Sequence, residues 1–202
     1  MVVESDGLLD ESCRGAAAPS PQEAVRVRLD MPRTDDLPDI MFLANNHRIA
    51  MNLSSMPHPF SLDNAKALIK RAEIYRDNNA TFAIRMATTG RFIGVAKYGE
   101  AEAGGPVHIG YWLGEPFWGD GLATEAVHAL VDHAFTNGSM DELTGGCRVT
   151  NPASRRVLAK SGFQYRDQSI IHSVGARGTV PIERFNLERA VWASLKTWGR
   201  TA

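Results

Sequence analysis

Apolar and polar residues along this chain change period several times, and each change marks an element. Val107, Ile109, Tyr111 and Leu113 alternate with His108, Gly110 and Trp112, the period of two that a strand requires. A short glycine-bearing turn follows. Val127, Leu130, Val131, Ala134 and Phe135 then fall at helical spacing, with Glu125 in the first turn, where negative charge suits the helix dipole. Asn137-Gly138 supplies the stop.

The rest of the chain parses in the same way. Val25, Val27 and Leu29 alternate with Arg26 and Arg28 and predict a first strand. Thr34 predicts a helix cap, with Asp35 and Asp36 in the first turn and Leu37, Ile40, Met41 and Ala44 on one face of a helix reaching about Asn45. Ser61 caps a second helix with Ala65, Leu68, Ile69 and Ala72 as its apolar stripe. Phe82, Ile84 and Met86, the turn Thr88-Thr89-Gly90, and Phe92 to Tyr98 make a hairpin that leads through Gly104-Gly105-Pro106 into the strand at Val107. From Asn151 to Phe163 a short helix carries Asn151 at its N-cap, Pro152 at its first position and Gly162 past its end. Ile170 to Val174 and Ile182 to Leu187 predict a closing hairpin. The sum is an α+β fold with a mixed, mostly antiparallel central sheet flanked by helices.

Composition narrows the class. With 202 residues, 44% hydrophobic and 22% charged, the chain suits one domain with a full core, expected over residues 23–202. Residues 1–22, with Ala16-Ala17-Ala18-Pro19-Ser20-Pro21, read as a flexible leader that lacks the apolar core of a secretion signal. A net charge of −1 leaves no basic excess for a nucleic-acid backbone. Only Cys13 and Cys147 occur, so no disulfide framework is expected and a reducing cytoplasm is the expected home. No apolar run is long enough to span a membrane. His128 and His133, five apart on one helix, fall on different faces and do not make a metal pair; no metal is expected.

The chemistry concentrates between the strand and the helix that follows it. Gly119 and Gly121 let the main chain approach a ligand, Ala123 keeps the next position small, and the helix start favours an anion, so the turn predicts a phosphate or pyrophosphate pocket. Gly119-Asp120-Gly121-Leu122-Ala123-Thr124 departs from the dinucleotide fingerprint at its last place, and the Gly-Lys-Ser/Thr of the nucleotide-triphosphate loop is absent from the chain.

The run Trp118-Gly119-Asp120-Gly121-Leu122-Ala123-Thr124-Glu125-Ala126, directly after Ile109-Gly110-Tyr111-Trp112-Leu113-Gly114-Glu115, resembles the acetyl-CoA loop of the GNAT superfamily of N-acetyltransferases. Trp118 departs from the usual Gln or Arg of that loop, in the manner of the RimJ/RimL-like branch. Asn151-Pro152-Ala153-Ser154 with a helix ending in Gly162-Phe163 resembles the second motif of the same branch.

The resemblance implies acetyl-CoA as co-substrate and a primary amine as acceptor, either a protein or peptide N-terminus or a small molecule, reacting by direct attack in a ternary complex. It assigns cofactor contacts to Tyr111, Trp112, Leu113, to the loop residues Trp118, Gly119, Asp120, Gly121, Leu122, Ala123 and Thr124, and to Asn151 and Ser154. Catalytic roles fall to the Leu113 N–H as oxyanion donor, Ser154 as proton donor to the departing thiolate, and His108 as general base where relatives carry glutamate. Other readings of these residues remain open: Tyr111 and Trp112 as core aromatics, Asn151 as an N-cap alone, Ser154 as a helix-terminal hydroxyl, His108 as a packed strand residue with a water chain in its place. Arg155 and Arg156 are expected either to reach the adenosine phosphates or to be solvated helix residues. Cys147 keeps an acyl-enzyme route open.

The acceptor is expected against residues 47–60, where Met51, Met56, Pro57, Pro59 and Phe60 make an apolar wall with His58 as a polar point, and His47 and His172 nearby. Pairing of two copies through a sheet edge or the closing hairpin is a possible homodimer contact. The competing function is a non-catalytic acyl-CoA-binding sensor or partner module on the same fold.

Overall fold

The computed structural model describes residues 25–73, 78–100 and 104–198; the expected leader and Cys13 lie outside them. One seven-stranded sheet organises them in the order β1-β2-β3-β4-β5-β7-β6. The strands are β1 Val27–Asp30, β2 Ala80–Met86, β3 Phe92–Glu100, β4 Val107–Leu113, β5 Glu142–Arg148, β6 Gln164–Ser173 and β7 Gly178–Glu188. Every neighbouring pair is antiparallel except β4 with β5. That single parallel pair is where α4 (Leu122–Asn137) makes the crossover.

Both faces of the central strands are covered. One core lies between the sheet and α4: Val107, Ile109 and Leu113 of β4 meet Leu122, Val127, Leu130, Val131 and Phe135, all buried. The other lies under α1 (Leu37–Ala44), α2 (His47–Ala50) and α3 (Leu62–Ala72), where Trp112 packs with Ile40, Phe60, Phe92 and Val95. The alternation of β4 therefore continues to its end, with Trp112 pointing to the second core. α5 (Pro152–Lys160) sits against α4 and β5, and Phe163 beyond it is buried.

Several expected boundaries move, each for a physical reason. β1 begins at Val27, because Val25 is exposed and pairs with no partner strand. Thr34 is not a cap: residues 34–36 form a 3-10 turn before α1, and it is the Asp36 carboxylate that accepts from the Arg33 N–H at 2.7 Å. Asp36 is buried because it receives the Arg85 guanidinium through two bonds of 2.7 Å. Ser61 does cap α3, accepting from Asn64 N–H at 3.2 Å. α2, capped by Asn46, was hidden in a segment without periodicity. α6 (Arg189–Trp198) follows β7 directly; Val191, Trp192 and Leu195 carried its weak spacing signal. It docks by Trp192, which packs on Phe135 and donates to Asp132 at 2.8 Å.

Candidate active site

β4 and β5 pair at only two positions, Val107 with Leu143 and His108 with Thr144, and then diverge. The Gly114 N–H donates to the Ile93 carbonyl at 2.8 Å, which fixes the phase of β4 against β3. In an antiparallel ladder the main-chain groups alternate in direction, so Trp112 and Gly110 face β3 while Tyr111 and Leu113 face the opening. Tyr111 and Leu113 thus offer unpaired N–H groups to the cleft. Trp112 does not: its main chain is committed to Val95 and its indole to the core, so it holds the strand rather than the co-substrate.

The loop after β4 presents a run of donors. Gly119 and Gly121 have φ of +93° and +80°, values that L side chains rarely adopt, so glycine is needed at both. The N–H groups of Gly119, Asp120, Gly121, Leu122 and Ala123 find no acceptor among the described residues, whereas those of Trp118, Thr124 and Glu125 bond to loop carbonyls. Five adjacent N–H groups are thus left uncommitted at the start of a 16-residue helix, an arrangement whose dipole suits an anion. Leu122 is itself buried in the core, so its side chain anchors the loop while its N–H stays available.

Two long-range contacts hold this loop, and neither had a local sequence signal. Arg26, from the approach to β1, forks onto the Glu125 carboxylate and donates to the Asp120 carbonyl at 2.9 Å. Trp118 donates its indole N–H to the Leu113 carbonyl at 2.7 Å, with the Arg48 guanidinium 5.1 Å over its ring. The tryptophan that replaces Gln or Arg in the loop is a strut between loop and strand.

Across the opening, Asn151 caps α5 by accepting from the Ser154 N–H at 3.1 Å. The Ser154 hydroxyl lies 2.8 Å from the Tyr111 hydroxyl, so strand and helix residues 43 apart meet over the cleft. Burial pushes the Tyr111 phenol up to about 12, with the Ser154 hydrogen bond opposing and Cys147 adding a little. The pair stays protonated at neutral pH. Arg155 does not face a phosphate: its guanidinium is bound to the buried Glu183 carboxylate. Arg156 lines the cleft.

His108 points to the other side of β4, the same side as Trp112. Its Nδ1 lies 2.5 Å from the Thr144 hydroxyl, which in turn donates to the Val107 carbonyl at 3.1 Å. With the Thr144 proton on the Val107 carbonyl, Nδ1 carries the hydrogen and Nε2 keeps a lone pair. Partial burial holds the imidazole below its ordinary range, so it is neutral at pH 7.

Cys147 faces the opposite core. It is buried, and burial, with Glu183 adding to it, raises its thiol to about 11. His128 and His133 turn to different partners, the Lys160 carbonyl and the Tyr98 hydroxyl.

The cleft holds about 1740 Å³ and runs from the loop to residues 48–57 on the far side of the sheet. That far wall is stitched shut: Val174 N–H donates to the Ser54 carbonyl (2.8 Å), Ser173 Oγ to Leu53 (2.9 Å) and Arg148 Nη1 to Met51 (2.8 Å). Met56, Pro57 and Phe60 line it, Met56 and Phe60 mostly turned into the core. His47 and His58 stack edge to face at 5.3 Å beside it, and His172 lies exposed on β6.

Comparison with known proteins agrees with this geometry. Residues 26–164 match the acetyltransferase (GNAT) domain family. The ribosomal-protein-serine acetyltransferase of Escherichia coli (strain K12) is 36% identical over 72 residues, 35% of this chain and 40% of that protein. The probable N-acetyltransferase YjcK of Bacillus subtilis (strain 168) is 34% identical over 90 residues, 44% of this chain and 50% of that one. The chain thus spans half or less of the length of these curated relatives. Among solved structures, Mycobacterium smegmatis RimJ in complex with CoA-disulfide superposes with a TM-score of 0.71 at 22% identity, covering 86% of this chain and 90% of that one. Spermidine N-acetyltransferase from Vibrio cholerae, in complex with CoA and spermine, gives 0.70 at 17%, covering 84% and 99%. At those identities the likeness is one of fold. By sequence over most of its length, and by fold, the chain belongs to the acetyltransferase (GNAT) domain family.

Proposed function

We propose that the protein transfers the acetyl group of acetyl-CoA to a primary amine, by direct attack with both substrates bound. The observation that carries this reading is the run of uncommitted N–H groups from Gly119 to Ala123 beside the opening between β4 and β5, a donor set suited to a pyrophosphate. The roles of the residues follow from direction and protonation. The Leu113 N–H, turned into the opening, is placed to donate to a carbonyl oxygen gaining charge. The Tyr111 and Ser154 hydroxyls, both protonated and coupled, supply a proton to the leaving thiolate. His108 Nε2 accepts a proton from the incoming amine, directly or through water.

The sign of the pH effect follows. His108 works as a base only when neutral, and its pKa lies below the ordinary 6.5, so activity is gained as pH rises through that lower value and is complete at neutrality. With a weakly basic acceptor amine, the pH profile of kcat/KM is expected to show this acid limb. His108→Gln is expected to abolish the limb and to lower kcat/KM about 100-fold at neutral pH. An unchanged profile would remove His108 from the mechanism.

Cys147 supports the direct route. A buried thiol raised to about 11 is almost wholly protonated at pH 7 and a poor nucleophile. Cys147→Ala is expected to retain near wild-type kcat, and acetyl label trapped on this residue would refute direct attack.

The function itself is tested by following thiol release from acetyl-CoA against a broad amine panel, alongside thermal unfolding with and without acetyl-CoA. Acetyl-CoA is expected to raise the unfolding midpoint, since it binds the native state. Binding without thiol release for any amine would instead identify a non-catalytic acyl-CoA-binding module.

A further inference from the structure

The acceptor side of the cleft carries two cations with no carboxylate partner among the described residues. Arg148 ends β5 on the same face as Thr144, four residues further along, beyond the point where β5 parts from β4. Its Nη1 is satisfied by the Met51 carbonyl, but its Nε is buried with no partner. Buried donors of a charged group are costly to leave unmade, so this one calls for an acceptor that the protein itself does not supply.

Lys97 stands on the other side of the opening, on β3 opposite Gly110. A Cβ on Gly110 would lie 3.2 Å from Lys97 Cε and 3.6 Å from Cγ, so the lysine stem lies across β4 in the space that glycine vacates. This lays the lysine stem over β4, and the residue lines the cleft. Lys97 is exposed and makes no ion pair or hydrogen bond among the described residues, so its ammonium is open to a ligand; partial desolvation, with a smaller push from Arg71, holds its amine below the ordinary lysine range. An anion beside it would relieve that penalty.

The carboxylates nearby do not answer these cations. On the same face, Asp167 is taken by Arg184 in a two-point pair at 2.5 and 2.6 Å. Glu142 lies at the opposite end of β5 from Arg148. Glu115 binds Arg48 and Asn46. By register, Lys97 stands level with Gly110, and Arg148 follows the pairing of Thr144 with His108 by four residues, so the two cations flank the stretch of β4 that presents Tyr111.

We infer that the acceptor is an amine carrying a carboxylate or phosphate close to its reacting nitrogen, with Arg148 and Lys97 binding that anion. This rests on the acetyl-transfer reading and adds the substrate class to it. Such an acceptor would be a small amino acid-like or phosphorylated amine, or a chain N-terminus followed at once by an acidic residue. Polycationic amines are disfavoured by the same two charges.

The test compares kcat/KM for matched acceptors that differ only in charge: amino acids against their amides, phosphoserine against serine, and short peptides with Asp, Asn or Lys in second position. Wild type is expected to prefer the anionic member of at least one matched set by roughly 10- to 100-fold, the range of a charge-assisted hydrogen bond. Which set shows the preference distinguishes small-molecule from peptide acceptors. Lys97→Met is expected to cut that preference severalfold or more through KM, while turnover of the neutral partner is kept. Arg148→Gln is expected to do the same, with its unfolding midpoint checked in parallel; the lysine variant carries the test if the arginine variant is unstable. Equal or better turnover of neutral and cationic acceptors, or a preference that survives Lys97→Met, would overturn the inference and leave acetyl transfer standing. No thiol release with any acceptor would sink both.

Discussion

Replacing Tyr111 by phenylalanine is expected to lower kcat by about 100-fold or more, the usual contribution of a placed proton donor, while acetyl-CoA affinity stays nearly unchanged. The reason lies in one contact. The phenol is held protonated at a pKa of about 12 by burial, and its oxygen sits 2.8 Å from the Ser154 hydroxyl. Phenylalanine keeps the ring and its packing but removes the proton. Ser154→Ala is expected to be damaging too, because it cuts the same pair from the other side. The two hydroxyls act as a unit, so the double variant is expected to be little worse than the worse single one. Single-turnover kinetics would show this. Losses that multiply, or a Tyr111→Phe enzyme as fast as wild type, would remove the pair from proton transfer. Because Tyr111 titrates so high, its contribution is also expected to persist unchanged to about pH 10, with no falling limb of its own in the neutral range.

The second large effect concerns stability and lies away from the cleft. Arg85 on β2 and Asp36 ahead of α1 are both buried, joined by two bonds of 2.7 Å, with Asp30 3.3 Å from the guanidinium. Asp36→Ala leaves the arginine charge buried without its main partner and also frees the Arg33 N–H that the carboxylate accepts. A loss of about 3–5 kcal/mol is expected. For a domain of this size that lowers the unfolding midpoint by roughly 10 °C. The outcome that separates a broken charge pair from lost packing is the double variant Asp36→Leu with Arg85→Met. Replacing the whole pair by apolar groups of similar volume is expected to recover much of the loss. A double variant as unstable as Asp36→Ala would show that shape, not charge, matters there.

Local signals made most of the framework readable. The strand at Val107, the glycine turn and the helix to Asn137 were legible because their periods are long and both flanks are regular. Ser61 and Asn151 were legible as caps because a cap acts within three residues. Gly119 and Gly121 were legible because only glycine readily takes their dihedrals. Failures came where the local signal was shared or weak. Thr34 and Asp36 are both good capping types, but neither side chain caps α1: the Asp36 carboxylate is taken by the Arg33 N–H and by Arg85, 49 residues away. α6 has few large apolar positions, and what docks it on α4 is the contact of Trp192 with Phe135 and the Lys196–Asp132 ion pair, both long-range.

What the sequence determined alone is the α+β class, most of the element order with α2 and α6 missed, and the glycine turn before α4, since period, capping and backbone dihedrals are properties of neighbours in the chain. The tertiary structure decided which groups are free and which are taken. Parting of β5 from β4 after His108 turns the Tyr111 and Leu113 main chains to the cleft, and pairing with β3 withdraws Trp112. Folding joins Tyr111 to Ser154 and His108 to Thr144, gives Arg155 to Glu183, and leaves Arg148 and Lys97 without a carboxylate partner among the described residues. Partners 28 to 43 residues apart leave no trace in local periodicity, because their proximity depends on how strands pair and not on what lies beside them in the chain.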